Sequence, residues 1–367
     1  MIVRLKDVCI KGTSNIRQKD VNESGRYPVY GAAGPVGFMN SFQYDEPYVG
    51  VVKDGAGIGR ATYLPSNSSI IGTMQALIPK NNVLPKYLYY AVSSMHLEKY
   101  YSGATIPHIY FKNYKHERFV LVSKKEQEQI IWRFSLLEKM ISNKQQQLLK
   151  LDELIKARFV EMFGDPVIEQ KFKDKYSMTE VCRIIDGDRG KNYPHNDDFS
   201  NSGYCLFLNA KNVTAKGFNF ENQMYISQKK DSELKKGKLR RGDIVLTTRG
   251  TIGNLAFYDS EIPFKNIRIN SGMVIIRLDT NRINEMFFIE QFKMQLFKVK
   301  QKIASGTAQP QLPISTMNNI KILLPPISLQ KEFANFVQQV DKSKVAVQKS
   351  LNETQKLYDS LMQEYFG

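Results

Sequence analysis

Cysteine and histidine are scarce: the 367 residues include 3 cysteines and 4 histidines. Cys9, Cys182 and Cys205 are too few and too scattered for a disulfide framework, and the histidines are too dispersed for a zinc site. No metal-binding set is expected. No run approaches the roughly 20 apolar residues of a membrane-spanning helix, and the opening MIVRLKDVCIKG lacks the apolar core of a signal peptide. These absences predict a cytoplasmic protein in a reducing compartment with no membrane segment.

Catalytic motifs are missing too. Gly190-Lys191 precedes Asn192 and Gly237-Lys238 precedes Leu239, so no phosphate-binding G-K-S/T exists and a nucleotide-driven motor is not expected. GAGIG at 55–59 does not complete G-x-G-x-x-G and runs into ATYLP, which reads as a glycine turn between strands. The one Pro-Pro, in Leu324-Pro325-Pro326-Ile327, lacks the flanks of a base-methyltransferase loop. Glu169-Gln170-Lys171 has the letters of a nuclease E-x-K without a strand to carry them. Asp186/Asp188 and Asp197/Asp198, in the polar loop DGDRGKNYPHNDDF, read as solvated carboxylates ahead of acid–base pairs. No serine or cysteine nucleophile has a base partner by motif, and no catalytic residue is assigned.

What the chain has in excess is positive charge: 52 basic and 36 acidic residues, net +16. Residues 1–125 and 165–328 each carry +8, while 126–164 and 329–367 are neutral. A surplus placed twice in this way points to two surfaces that meet a polyanion.

The chain also repeats itself. A shift of 203 aligns 102–164 with 305–367 without a gap. Ser102-Gly103 falls on Ser305-Gly306, Pro107 on Pro310, Gln127 on Gln330 and Phe163-Gly164 on Phe366-Gly367. LKDVC (5–9) echoes MTEVC (178–182). The two neutral segments read as long helices. One carries apolar residues at Ile130, Phe134, Leu137, Ile141, Leu148, Leu151 and Ile155, interrupted by Lys144. The other carries Phe333, Val337, Val340, Val347, Leu351, Tyr358, Leu361 and Tyr365, interrupted by Lys344 and Thr354. Alternating steps of three and four over five heptads describe a coiled-coil seam, and the obvious partner of each helix is its own copy, running antiparallel. At 1.5 Å per residue each rod is about 55 Å long.

The remaining segments read as mixed α/β, an α+β class overall. Strand-like runs lie at 48–52, 76–78, 119–122, 244–247, 273–276 and 320–324, with one helix per half near 85–101 and 284–304. The divisions are 1–125, 126–164, 165–328 and 329–367. Binding chemistry concentrates at the expected strand ends. The dense basic stretch Lys229, Lys230, Lys235, Lys236, Lys238, Arg240 and Arg241 suits phosphate contacts. Base reading needs polar side chains on rigid turns. The candidates in the second half are Arg189, Lys191, Asn192, Arg249, Thr251, Arg268, Asn270, Ser271, Thr307, Gln309 and Gln311. In the first half they are Lys53, Arg60, Thr105 and His108.

This layout resembles the DNA specificity (S) subunit of type I restriction–modification systems. The markers are YPVYGAAGPVGF (27–38), SGATIPHI and SGTAQPQL before the closing strands, LLPPISLQKEF entering the second helix, and the DGDRGKNYP and RINSGM stretches. The resemblance implies two target recognition domains, each reading one half of a bipartite duplex site, in a chain that is not itself an enzyme. It further implies methyltransferase (M) subunits, two in number, that use S-adenosylmethionine, and translocating restriction (R) subunits for cleavage. Domain one is the shorter, which makes its contacts harder to place. The alternatives are a stand-alone nuclease or modification enzyme built on loop carboxylates, and a coiled-coil scaffold. The even split of charge argues against the scaffold.

If the paired helices set the distance between two readers, inserting one heptad after Gln147 and one after Ser350 keeps both stripes in register and adds about 10 Å. The spacer between half-sites should then grow by roughly three base pairs, at ~3.4 Å each, while the half-sites stay the same. Methylation mapping checks this, and unchanged spacing at full activity would show that the helices are not the ruler.

Overall fold

The computed structural model describes residues 1–103, 106–168, 171–172, 174–304 and 311–367. It divides into two compact units, residues 1–147 with 346–367 and residues 148–345.

In unit one, the apolar run Tyr48–Val52 is buried along its whole length and forms a central strand. Such a run, bounded by turn residues, has no solvent face to alternate with. It lies between Met74–Pro79 and Ala61–Leu64, and Cys9–Gly12 completes a four-stranded antiparallel sheet. A three-stranded sheet orders Gly34–Met39, Tyr27–Gly31 and Ser69–Ile70, the last pair parallel. Ile2–Arg4 pairs with Arg118–Val120. The helix Pro85–Ser94, with Pro at its start where no amide donor is needed, buries Tyr87, Leu88, Tyr90, Ala91 and Val92 against this core.

Unit two repeats the plan. Its antiparallel sheet runs Cys182–Asp186, Met273–Leu278, Ile244–Thr247, Leu255–Phe257. Its three-stranded sheet runs Tyr225–Ile226, Cys205–Leu208, Ile267–Ile269, again with the last pair parallel. Lys175–Ser177 pairs with Lys321–Leu323, and the helix Glu285–Ala304 takes the place of Pro85–Ser94. A small hairpin, Val213–Thr214 with Gly217–Phe218, has no counterpart among the described strands of unit one.

The long helices span Lys124–Phe163 and Ile327–Phe366, which coincide under the 203-residue shift. Ser123 and Glu126 cap the first reciprocally: the Ser123 amide donates to Glu126 Oε2 at 2.9 Å and the Glu126 amide to Ser123 Oγ at 3.3 Å. Gly164, at φ +81°, ends that helix with its amide on the Val160 carbonyl. Each unit contains the start of one helix and the end of the other, and the two pieces pack antiparallel. In unit one the ring of Phe134 lies 5.1 Å from Tyr358 and 6.1 Å from Phe366. In unit two Phe159 lies 5.3 Å from Phe333, and Phe163 lies 4.9 Å from Phe287. Of the seam, Ile130, Phe134, Leu137, Ile155, Phe333, Val337 and Val340 are buried. Ile141, Leu148, Leu151, Val347, Leu351, Tyr358 and Leu361 are half-buried. The interrupting residues find polar partners. Lys144 Nζ donates to Ser350 Oγ at 2.7 Å, Thr354 Oγ1 donates to the Ser350 carbonyl at 2.7 Å, and Lys344 Nζ sits 2.5 Å from Asp152 Oδ1.

One side chain anchors each globular body to its helix. Gln127 and Gln330 have no exposed surface. Gln127 accepts the Leu84 amide at 2.8 Å and donates to the Asn82 and Val122 carbonyls. Gln330 accepts the Asn284 amide at 2.9 Å and donates to the Arg282 and Pro325 carbonyls. Replacing either amide by leucine leaves buried backbone groups without partners, a cost of roughly 2–3 kcal/mol. Hydrogen exchange should show Gln127→Leu loosening unit one and Gln330→Leu loosening unit two. A loss below about 0.5 kcal/mol in both would show that the amides are dispensable.

Candidate nucleic-acid interface

Each unit presents two loops joined by the same backbone bonds. In unit one the strand Tyr48–Val52 runs out into Lys53-Asp54-Gly55. The Ile109 amide donates to the Lys53 carbonyl at 2.9 Å, and the Lys53 amide donates to the Thr73 carbonyl at 3.0 Å. In unit two the strand Ile244–Thr247 runs out into Thr248-Arg249-Gly250. There the Leu312 amide donates to the Thr248 carbonyl at 3.0 Å, and the Thr248 amide to the Gly272 carbonyl at 2.8 Å. Bridges between Asp54 and His108, and between Arg249 and Gln311, occupy matching places. Gly55 and Gly250 hold φ of +87° and +69°, which the turn requires and a side chain resists.

The frame is shared and the side chains on it differ. In unit one His108 Nδ1 lies 2.7 Å from Asp54 Oδ1, Lys53 Nζ lies 3.7 Å from Asp54 Oδ2, and the His108 ring stacks on Tyr110. Arg60 is exposed, and one of its guanidinium nitrogens donates to the Ala32 carbonyl. In unit two Arg249, Thr251 and Gln311 are exposed. Arg189 reaches the same turn, donating to Asp186 Oδ1 and to the Ser271 carbonyl, both at 3.1 Å. Asn270 Oδ1 accepts the Gly272 amide at 2.9 Å. Arg189, Arg249, Asn270, Ser271 and Gln311 therefore gather around one turn. Thr105, Thr307 and Gln309 lie outside the described residues.

The cations approach from the neighbouring loop. Asp188 accepts the amides of Gly190 at 2.9 Å, Lys235 at 2.7 Å and Lys236 at 3.3 Å. These backbone bonds, that from Gly190 foremost, hold its carboxyl below the ordinary value. Asp188 thus places the exposed Lys235 and Lys236 beside the Arg189 loop. Lys191 and Arg240 are also exposed, and Asn192 ties the same region to the Glu233 carbonyl at 3.3 Å.

Two expectations are corrected. Arg268 is no DNA contact: it is 5% exposed, its Nε lies 2.5 Å from Asp231 Oδ1, and its guanidinium also donates to the carbonyls of Asp231, Leu234 and Lys236. Burial opposes the charge on Asp231, yet bonds from Lys238 and Arg268 keep its carboxyl below the ordinary value. Three of the seven cations in the dense basic stretch are engaged by the fold as well. Lys230 pairs with Asp198 and Glu233, Lys238 with Asp231, and Arg241 lies 4.1 Å over the Tyr258 ring while donating to the Ile262 and Phe264 carbonyls. Lys229, Lys235, Lys236 and Arg240 remain exposed. Asp188 and Asp198 keep part of their surface exposed and also anchor loop backbone.

Among the described residues, no cluster of three or more potential ligands for a metal occurs, and no helix is long and apolar enough to cross a membrane. Cys9, Cys182 and Cys205 are buried, and burial pushes their thiols up to about 12, so they are poor nucleophiles.

Comparison with known proteins places these features. Residues 1–153 and 171–356 match the type I restriction modification DNA specificity domain. The MjaIX specificity subunit of Methanocaldococcus jannaschii is 24% identical over 303 residues, covering 78% of this chain and 69% of that protein. The MjaVIII specificity subunit of the same organism is 24% identical over 309 residues, covering 78% and 71%. The crystal structure of the type I restriction–modification system S subunit from M. genitalium superposes with a TM-score of 0.62 at 17% identity, covering all of this chain and 96% of that one. A chain from a type I R-M system solved for its complex assembly and conformational transition gives 0.56 at 15% identity, covering all of this chain and 97% of that one.

Reversing the charge of Lys235, Lys236 and Arg240 should weaken binding to all duplex sequences alike, because lysines on a mobile stem contact phosphate and carry no sequence information. With about eight phosphates neutralised, the log–log salt slope of the unaltered chain should be near −7. Fluorescence anisotropy across a salt series measures both. A slope shallower than about −3, or a change of preferred sequence in the triple variant, would remove these residues from the phosphate-contact set.

Proposed function

This chain belongs to the type I restriction–modification DNA specificity family, and from that premise we propose that each of its units reads one half of a bipartite site in duplex DNA. It supplies sequence specificity and is not the catalytic component of its system. In the proposed complex, two methyltransferase subunits carrying S-adenosylmethionine take their position from this chain, and restriction subunits join for cleavage, all in the cytoplasm.

The observation that carries the reading is the repeated two-loop frame with different side chains on it. Both units hold a glycine turn by matching backbone bonds, from His108-Ile109 in one and from Gln311-Leu312 in the other. One frame offers Asp54 and His108, the other Arg249 and Gln311. A guanidinium fits the O6 and N7 acceptors of guanine and a glutamine amide fits adenine, whereas an imidazole held by a carboxylate has its own preferences. Two equal frames with unequal chemistry suit two unequal half-sites.

Arg249→Ala should cost about 1–3 kcal/mol at one base pair of one half-site. His108→Ala should act on the other half-site, and the two effects should be additive because the residues share no partners. Methylation mapping in cells that co-express the chain with its methyltransferase reads both. A variant that altered both half-sites would contradict the two-reader arrangement. The purified chain with DNA and magnesium or S-adenosylmethionine should show no turnover.

A further inference from the structure

Unit two contains an open cleft of about 750 Å³ whose lining includes Asn201, Asn209, Lys211, Glu221, Asn222 and Gln223. The geometry points to this cleft as a second base-reading site, one that takes the edge of an adenine in the same half-site that Arg249 reads. It rests on the assignment of unit two as a DNA reader.

The lining is built, not incidental. Asn212, 1% exposed, holds both walls: its Oδ1 accepts the Asn209 amide at 2.9 Å, and its Nδ2 donates to the carbonyls of Asn219 at 3.0 Å and Asn222 at 2.6 Å. Two of the lining amides are used by the fold. Asn209 Oδ1 accepts the Lys211 amide at 2.9 Å. Gln223 is clamped between the Phe220 carbonyl at 2.9 Å and the Tyr225 hydroxyl at 2.5 Å. The side-chain amides of Asn201 and Asn222 are exposed and make no hydrogen bond among the described residues. The lining thus presents two uncommitted amides, Asn222 on the frame that Asn212 holds and Asn201 beside it, each offering donor and acceptor side by side. That pair of functions matches adenine N7 and N6 in the major groove.

The electrostatics favour a base edge over the DNA backbone. The lining holds one lysine, Lys211, and one carboxylate, Glu221, so it has no net charge with which to draw a strand that bears a phosphate charge every few ångströms. Glu221 repels a phosphate and accepts readily from an exocyclic amine. The lining residues flank, in sequence, the hairpin that has no counterpart among the described strands of unit one, so the cleft's contribution is confined to one half-site.

The test uses the full chain with its methyltransferase subunits, selecting from a pool of random DNA duplexes at fixed salt. The double variant Asn201→Ala/Asn222→Ala should relax an adenine preference by about tenfold or more at one base pair, distinct from the one Arg249→Ala relaxes, and leave the other half-site intact. Asn222→Asp, which keeps the acceptor and removes the donor, should move the preference at that position from adenine toward cytosine. Thermal unfolding equal to that of the unaltered chain shows that the variants fold. An unchanged sequence preference in the double variant, with Arg249→Ala still altering its half-site, overturns the cleft alone. A uniform loss of affinity for all sequences makes it a phosphate contact and overturns it. Loss of the methyltransferase subunits with unchanged preference makes it a protein-docking surface, which also overturns it. An unaltered chain that selects no sequence overturns the reader assignment and the cleft together.

Discussion

A side-chain amide with no access to water holds each half of this protein to its helix. Gln127 and Gln330 each accept one backbone amide and donate to two carbonyls, at the point where the closing strand turns into the long helix. Glutamine is suited to this place because it carries donor and acceptor on one flexible stem and no charge to desolvate. The loop preceding each globular helix, the carbonyl at the helix entrance and the helix itself are thereby fixed together. The reading loops grow from sheets that pack on these same elements, so their geometry inherits the precision of that joint.

The middle of the helices is governed by a different kind of polar contact. Apolar seams tolerate sliding by a heptad, whereas Lys144 on Ser350 and Lys344 on Asp152 are satisfied in one register. Such contacts lower stability relative to leucine and raise specificity of pairing. Their position away from the aromatic ends means that stability comes from Phe134, Phe159, Phe163, Phe333 and Phe366, and alignment from the polar residues between them.

Much of this was legible in the letters. The long helices were visible because a 3-4 spacing and a gapless repeat at 203 residues constrain one another, and the fully buried strands because uninterrupted apolar runs sat between turn residues. The misreading of Arg268 has a plain cause. Its partner, Asp231, is 37 residues away in the chain, and no local pattern announces that a cation within the strand Ile267–Ile269 points inward. Arg241 likewise reaches carbonyls 21 and 23 residues on, and Lys238 pairs with the same Asp231. The cleft is not legible in the sequence because its lining residues are scattered: Asn209 and Asn222 become neighbours through Asn212, and Asn201 joins them only in the fold. The density of amides in NAKN and NFENQ was the available signal. The correspondence of Asp54–His108 with Arg249–Gln311 was likewise half-visible, in the alignment of SGATIPH with SGTAQPQ, but needed the backbone bridges to pair each loop with its glycine turn.

The division of residues between the units carries a consequence for biosynthesis. Unit two is one continuous stretch, 148–345, while unit one is assembled from 1–147 and 346–367. On a ribosome that delivers the chain in order, unit two has all its residues before unit one does, although unit one was begun first. The core of unit one waits, with Tyr87 and Phe134 lacking the ring of Phe366 that later packs on both. Closing that core joins residues more than 200 positions apart, the slowest kind of contact to form. The folding of unit two in the interval draws the two ends of unit one's gap toward each other and shortens the effective loop. The half of the molecule made second is therefore positioned to act as the folding clamp for the half made first.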